Sequence, residues 1–240
     1  MDDIDDKSQL NLPASKLPEE ESKSDDFRTS LHWRTFRILS EFVDGWQFLA
    51  NFKKTVSVFG SARFPEGHRW YEEARKLGKM VAEAGFAVVT GGGPGIMEAG
   101  NRGAMEGKGD SVGLNIKLAM EQRINPYVKE STAFHYFFVR KVMLSFAARA
   151  YIFFPGGYGT LDEVFEILTL IQTKKISDKI PVVLVGKDFW EPIDKWLKEE
   201  IYEKYQVVDK SDLDVYKVVD SAEEAFELIK DAPPRKDWYY

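Results

Sequence analysis

The sequence predicts an α/β fold: a Rossmann-like doubly wound parallel sheet, with helices covering both faces. Three observations predict it. Short, uniformly apolar runs alternate with longer stretches of helical periodicity along most of the chain. Runs of that kind are strands buried on both faces, as parallel sheets require. Two of them feed straight into glycine-rich turns that open helices, and sheets of this class bind ligands beyond the carboxyl ends of their strands.

The elements follow in order. Residues 1–26 are acidic and polar, the composition of a disordered tail with too few apolar groups to offset its ordering entropy. Residues 27–52 form an amphipathic helix, in which Trp33, Phe36, Leu39, Phe42, Val43, Trp46 and Leu49 recur at spacings of three and four and line one face. That face is expected to dock on the main domain or on a partner subunit. A membrane-surface anchor fits less well, because Glu41 and Asp44 stand where Lys and Arg would be expected. Residues 53–232 then form one Rossmann-like nucleotide-binding domain. Strands are expected at 55–59, 86–90, 111–115, 133–137, 150–154 and 181–185. Helices are expected at about 67–84, from near Pro94, and at 138–149, 159–172, 190–205 and 222–229. No internal repeat and no second domain is evident.

The bulk composition narrows the chemistry. With 44% hydrophobic residues in 240, the chain can bury a substantial core, and a net charge of −6 disfavours a nucleic-acid surface. The absence of cysteine removes disulfides, thiol nucleophiles and thiolate metal sites. His32, His68 and His135 are too far apart for a local metal motif, so no metal and no cofactor are expected. No apolar run approaches the roughly 20 residues that span a bilayer, and the N-terminus has the opposite character to a targeting signal. The expected setting is cytoplasmic, without membrane or nucleic-acid partners.

The first glycine turn reads Thr90-Gly91-Gly92-Gly93-Pro94-Gly95-Ile96-Met97-Glu98. Glycines let the backbone bend sharply and let a ligand approach, and the free N–H groups at the following helix start attract an anion. The second reads Pro155-Gly156-Gly157-Tyr158-Gly159-Thr160-Leu161-Asp162-Glu163. Thr160 there can cap the helix or bond a phosphate oxygen. Glu163 stands three residues on, either as a capping-box carboxylate or as a carboxylate at the mouth of a site. Neither turn matches the dinucleotide fingerprint or ends in the Gly-Lys-Ser/Thr of a P-loop. Between the turns, Arg140 and Lys141 form a cationic pair: a solvated face, or a guanidinium for phosphate or substrate at Arg140.

The pairing of these two turns, with Arg140-Lys141-x-Met143 between them and Val58-Phe59-Gly60-Ser61 before them, resembles the Lonely Guy family over about residues 55–205. That resemblance implies a dimeric Rossmann-like phosphoribohydrolase. Such enzymes cleave the N-glycosidic bond of cytokinin riboside 5′-monophosphates, and often of AMP, to free base and ribose 5-phosphate. It casts Glu163 and Arg140 as the catalytic pair. Gly156, Gly157, Gly159 and Thr160 become the phosphate cradle, joined by Gly91, Gly92, Gly93 and Gly95 and by the Gly60-Ser61 loop. Lys141 joins the substrate-binding set, and Met97 and Met143 pack on the base or shape its pocket. Glu98, where short members have glycine, is expected to alter the pocket. Glu98 and the N-terminal helix resemble the longer bacterial branch. The label "lysine decarboxylase" carried by many members implies a pyridoxal-phosphate lysine to which nothing in the sequence points. The alternative from another class is a non-hydrolytic nucleotide or molybdenum-cofactor carrier, whose phosphate turns would look the same.

Overall fold

The computed structural model describes residues 30–117, 124–146 and 148–234. The expected tail at 1–26 and the start of the first helix lie outside the described residues. Among the described residues, seven strands form one sheet in the order β4-β3-β2-β1-β5-β6-β7. They are β1 Thr55–Phe59, β2 Ala87–Thr90, β3 Ser111–Ile116, β4 Glu130–Phe134, β5 Tyr151–Phe153, β6 Val182–Val185 and β7 Lys217–Val219. All six pairings are parallel. The chain runs outward from β1 to β4 and then returns to lay β5 on the other side of β1. The strand order therefore reverses between β1 and β5, where doubly wound sheets open a crevice.

The helices are α1 Leu31–Leu49, α2 Arg69–Glu83, α3 Ile96–Glu106, α4 Phe137–Phe146, α5 Tyr158–Gln172, α6 Lys187–Trp196 and α7 Ala222–Ile229. Alternate strand residues feed two cores. Phe59, Val89, Leu114, Tyr151 and Phe153 pack under α1, α4, α5 and α6, with Met143 of α4 and Val164 of α5. Val56, Val58, Val88, Ile152 and Val183 pack under α2, α3 and α7, with Tyr71, Ile96 and Ala225. This period-two division is what a sheet covered on both faces produces.

Three boundaries and one added element differ from expectation for physical reasons. The strand expected at 133–137 lies at Glu130–Phe134, because it is an edge strand whose exposed Glu130 and Ser131 disguise the apolar pattern. It stops where the N–H groups of His135 and Tyr136 donate to the two carboxylate oxygens of Glu41, at 2.7 and 3.1 Å, rather than to a strand. The helix after the first glycine turn begins at Ile96 and not near Pro94, since Gly92 and Gly95 both take positive φ. The helix expected at 190–205 is α-helical only to Trp196 and continues as π-helical turns over Leu197–Lys204. β7 is an element the sequence does not announce; three residues are too short for a periodic signal.

α1 also departs from its single expected face. Gly45 and Leu49 are buried, and Ile38, Phe42 and Phe48 pack on the core. Phe36, Leu39 and Val43 remain 63%, 54% and 49% exposed, so most of the expected stripe faces away from the domain. Gly45 permits this docking: a β-carbon there would lie 2.8 Å from the Met143 sulfur of α4. Glu41 completes it, placing a carboxylate at the N-terminal end of α4, where negative charge is favoured.

Candidate active site

A cleft of about 660 Å³ opens at the switch point, within the size range of small-molecule sites. Gly60, Ser61 and Arg63 line it from the loop after β1, and Gly91 and Met97 from the first glycine turn and α3. Phe137, Arg140 and Leu144 line it from α4, and Gly157, Gly159, Thr160 and Glu163 from the second turn and α5.

The two glycine turns prove to be different objects. In the first, the Gly92 N–H donates to Thr90 Oγ1 at 2.9 Å. The Gly92 and Gly93 carbonyls accept from the backbone N–H and side-chain amide of Asn125, at 2.9 and 3.0 Å. Beneath lies a buried net in which Asn101 bonds Thr90, Ser111 and Asn125. A β-carbon at Gly91 would collide with the Arg140 guanidinium, and one at Gly93 would lie 2.8 Å from the Met97 methyl. The first turn is thus filled by the protein's own groups, and of its glycines only Gly91 lines the cleft. The second turn is open: a β-carbon at Gly157 or Gly159 would meet nothing within 4 Å. Gly157 is the N-cap of the fifteen-residue α5 and makes no side-chain capping bond, so the first N–H groups of the helix are left for a ligand. Gly156 serves close packing, since a β-carbon there would strike Thr160 Oγ1.

Ser61 clips these parts together. Its N–H donates to the Pro155 carbonyl and its carbonyl accepts from the Ile96 N–H, both at 3.0 Å, while its hydroxyl accepts from the Arg63 N–H at 3.1 Å.

Glu163 is not a capping carboxylate. α5 begins at Tyr158, which puts Glu163 in its second turn, 6% exposed, with Oε2 lacking any hydrogen-bond partner among the described residues. Burial, reinforced by the nearby Glu166, raises its pKa to about 7 against the opposing pull of Lys141 and Arg140. Arg140 reaches the same cleft, with its Nε donating to the Leu114 carbonyl at 2.8 Å. Burial lowers its pKa, and the charge of Glu163 opposes that.

Other expected residues go elsewhere. Lys141 does not line the cleft; it pairs with Asp162 at 2.7 Å and Glu166 at 3.1 Å. Burial alone would lower its pKa, but these bonds raise it on balance. Met143 is wholly buried beneath Gly45. Gly92, Gly93 and Gly95 belong to the filled turn. Glu98 accepts a hydrogen bond from the Tyr71 hydroxyl at 2.9 Å and does not line the cleft. Sequence reasoning missed Arg63 and the exposed aromatic rings of Phe137 and Tyr158 at the mouth. Arg63 follows the Val58–Ser61 segment by two positions, and that closeness to the loop is the signal that could have found it.

An all-parallel sheet with an open helix start and a buried carboxylate at its switch point defines a Rossmann-like small-molecule-binding protein. The chain belongs to the family whose model is described as "possible lysine decarboxylase", which matches residues 97–229, the family that includes the Lonely Guy proteins. Among curated proteins it is similar to the cytokinin riboside 5′-monophosphate phosphoribohydrolase LOG of Oryza sativa subsp. japonica, at 29% identity over 75% of this chain and 72% of that one. It is also similar to the cytokinin riboside 5′-monophosphate phosphoribohydrolase of Rhodococcoides fascians, at 26% identity over 63% and 78%. Among solved structures, the molybdenum cofactor carrier protein of Chlamydomonas reinhardtii matches with a TM-score of 0.58 and 22% identity, covering 75% of this chain and 98% of that one. The molybdenum cofactor binding protein of Rippkaea orientalis matches with a TM-score of 0.54 and 22% identity over 75% and 96%. These structures share the fold. The decarboxylase description does not fit the cleft: no lysine is among the described residues that line it, so none is in place to hold pyridoxal phosphate as a Schiff base.

Proposed function

We propose that this protein hydrolyses the N-glycosidic bond of a purine nucleoside 5′-monophosphate, AMP or a cytokinin riboside 5′-monophosphate, releasing free base and ribose 5-phosphate. The observation that carries the proposal is Glu163: a buried carboxyl with a free oxygen, lining the cleft one helical turn beyond an open phosphate-sized turn. The phosphate would sit on the N–H groups of Gly157–Thr160, and the ribose C1′ would then face Glu163. As the C1′–N bond breaks, the base leaves with the electron pair and takes up a proton from solvent, to which Glu163 later returns the one it gains. The ribosyl centre becomes oxocarbenium-like, and the Glu163 carboxylate stabilises that charge. Water adds to C1′ and gives its proton to Glu163, a general-base step worth about 10²–10⁴-fold. Arg140 keeps the substrate aligned. The rice and Rhodococcoides relatives, named for this reaction, support the reading.

The test is to incubate the purified protein with AMP, isopentenyladenosine monophosphate, GMP and CMP and follow free base by chromatography. Glu163→Gln should retain AMP binding and lose base release. Release at the parental rate by that variant refutes Glu163 as catalytic, and no release from any nucleotide by the parent favours the carrier reading. A homodimer belongs to the same proposal, supported by the exposed Phe36, Leu39 and Val43 of α1. Light scattering that gives a monomer mass at micromolar concentration refutes it. Among the described residues no helix is long and apolar enough to cross a membrane.

A further inference from the structure

We propose that Arg63 is the cation by which the cleft selects a phosphorylated substrate over the bare nucleoside. The inference rests on the reading above and follows from charge balance. Among the described residues, three charged side chains line the cleft: Arg63, Arg140 and Glu163. A 5′-phosphate brings nearly two negative charges at neutral pH, into a cleft that already holds the Glu163 carboxyl. The helix start of α5 supplies N–H groups and a partial positive charge, worth only about half an elementary charge. A full cation must come from a side chain.

Lys141 cannot supply it, because its ammonium is already shared between Asp162 and Glu166 and does not reach the cleft. Arg140 supplies it only in part. Its Nε is spent on the Leu114 carbonyl, its guanidinium covers Gly91, and it answers the charge of Glu163. Arg63 remains. Its side chain has no ion-pair or hydrogen-bond partner among the described residues.

The loop that carries it is built to hold it there. Ser61 spends its N–H, its carbonyl and its hydroxyl on Pro155, Ile96 and the Arg63 N–H. A serine expected to bind phosphate is therefore used up in tying the loop to both glycine turns. Its tie to Pro155 sets the loop beside the open second turn, and Arg63 is the member left with unspent donors. A guanidinium also suits an exposed rim, since it stays charged at any working pH and its planar fork matches two phosphate oxygens.

The test measures binding of ribose 5-phosphate, inorganic phosphate and adenosine by thermal shift in the parent, Arg63→Gln and Arg63→Lys, alongside kcat and KM for AMP. Arg63→Gln is expected to weaken ribose 5-phosphate and phosphate by about ten- to a hundredfold, the worth of a contact to a charged group. The KM for AMP should rise in parallel while kcat falls less, and Arg63→Lys should recover part of the loss. Unchanged ribose 5-phosphate affinity in Arg63→Gln overturns the proposal. So does an equal loss for adenosine, which would make Arg63 a general support of the cleft. A parent that binds ribose 5-phosphate but releases no base refutes the hydrolase reading alone, and the binding ratio still decides Arg63. A parent that binds no phosphate compound overturns both.

Discussion

Replacing Glu163 by glutamine isolates the cost of keeping a carboxylate in the cleft. Burial and Glu166 raise the pKa of this group from 4.5 to about 7, so the folded protein holds a proton there that the unfolded chain releases. The stability associated with that proton is fully present below pH 4.5 and is lost as pH rises through about 7. At about 1.4 kcal/mol per tenfold change, the loss comes to about 3 kcal/mol. Glutamine has nearly the same shape and does not ionise. The melting temperature of Glu163→Gln minus that of the parent should therefore increase between pH 4 and pH 8.5. For a domain of this size, where 1 kcal/mol corresponds to about 2–4 °C, the increase is roughly 6–12 °C. Scanning calorimetry at the two pH values measures it. Taking the difference of differences cancels any packing change, since that change is present at both. If the variant runs parallel to the parent across this range, Glu163 is not held protonated by burial. The same pKa sets the reaction's acid limb: base release by the parent, followed as kcat/KM, should climb as Glu163 ionises and level off above pH 7 to 8.

Other consequences are checked by single substitutions. Gly157→Ala places a methyl in open space, so the melting temperature should change by less than about 2 °C while the KM for AMP rises at least several-fold, the contrast between a ligand's space and a fold's space. Gly92→Ala should do the reverse. Its φ of +71° and the Asn115 amide oxygen 2.6 Å from the added carbon make it cost at least about 1–2 kcal/mol, read in urea unfolding. Glu41→Ala removes the acceptor for two N–H groups at the start of α4 and should lower stability by about 1.5–3 kcal/mol by the same measurement.

Much of the fold was legible because its signals are local. β1 and α7 lie where the apolar run and the helical stretch place them, and the Ser221 side chain caps α7. β4 slipped by three residues because half its length faces solvent at the sheet edge, and its end is set by Glu41, ninety-four positions away. The Arg140-Lys141-x-Met143 element shows a different limit. Successive residues of a helix turn by about 100°, so three residues so close in sequence point three ways. Arg140 reaches the cleft, Lys141 the acidic residues of α5, and Met143 the buried contact with α1. A motif read as one binding unit is in space a cleft residue, a strut between helices and a core residue.

The glycine turns mark that limit most sharply. Both consist of a strand, a run of glycines and a helix, and sequence alone gives each the same claim on a phosphate. What separates them is whether other parts of the chain satisfy the turn. Asn125 and Thr90 bond the polar groups of the first turn, and Asn101 braces Thr90 and Asn125 from beneath. Asn125 lies thirty-two positions from Gly93, Asn101 lies within α3, and no glycine pattern announces either. The second turn has no such neighbours over Gly157 and Gly159, and their exposed N–H groups stay open to a bound anion at the start of α5. The filled turn then explains the open one. By fixing Gly91 against Arg140 and holding Ile96 to Ser61, the first turn forms the rigid wall of the cleft, against which the second turn and Glu163 can present a ligand.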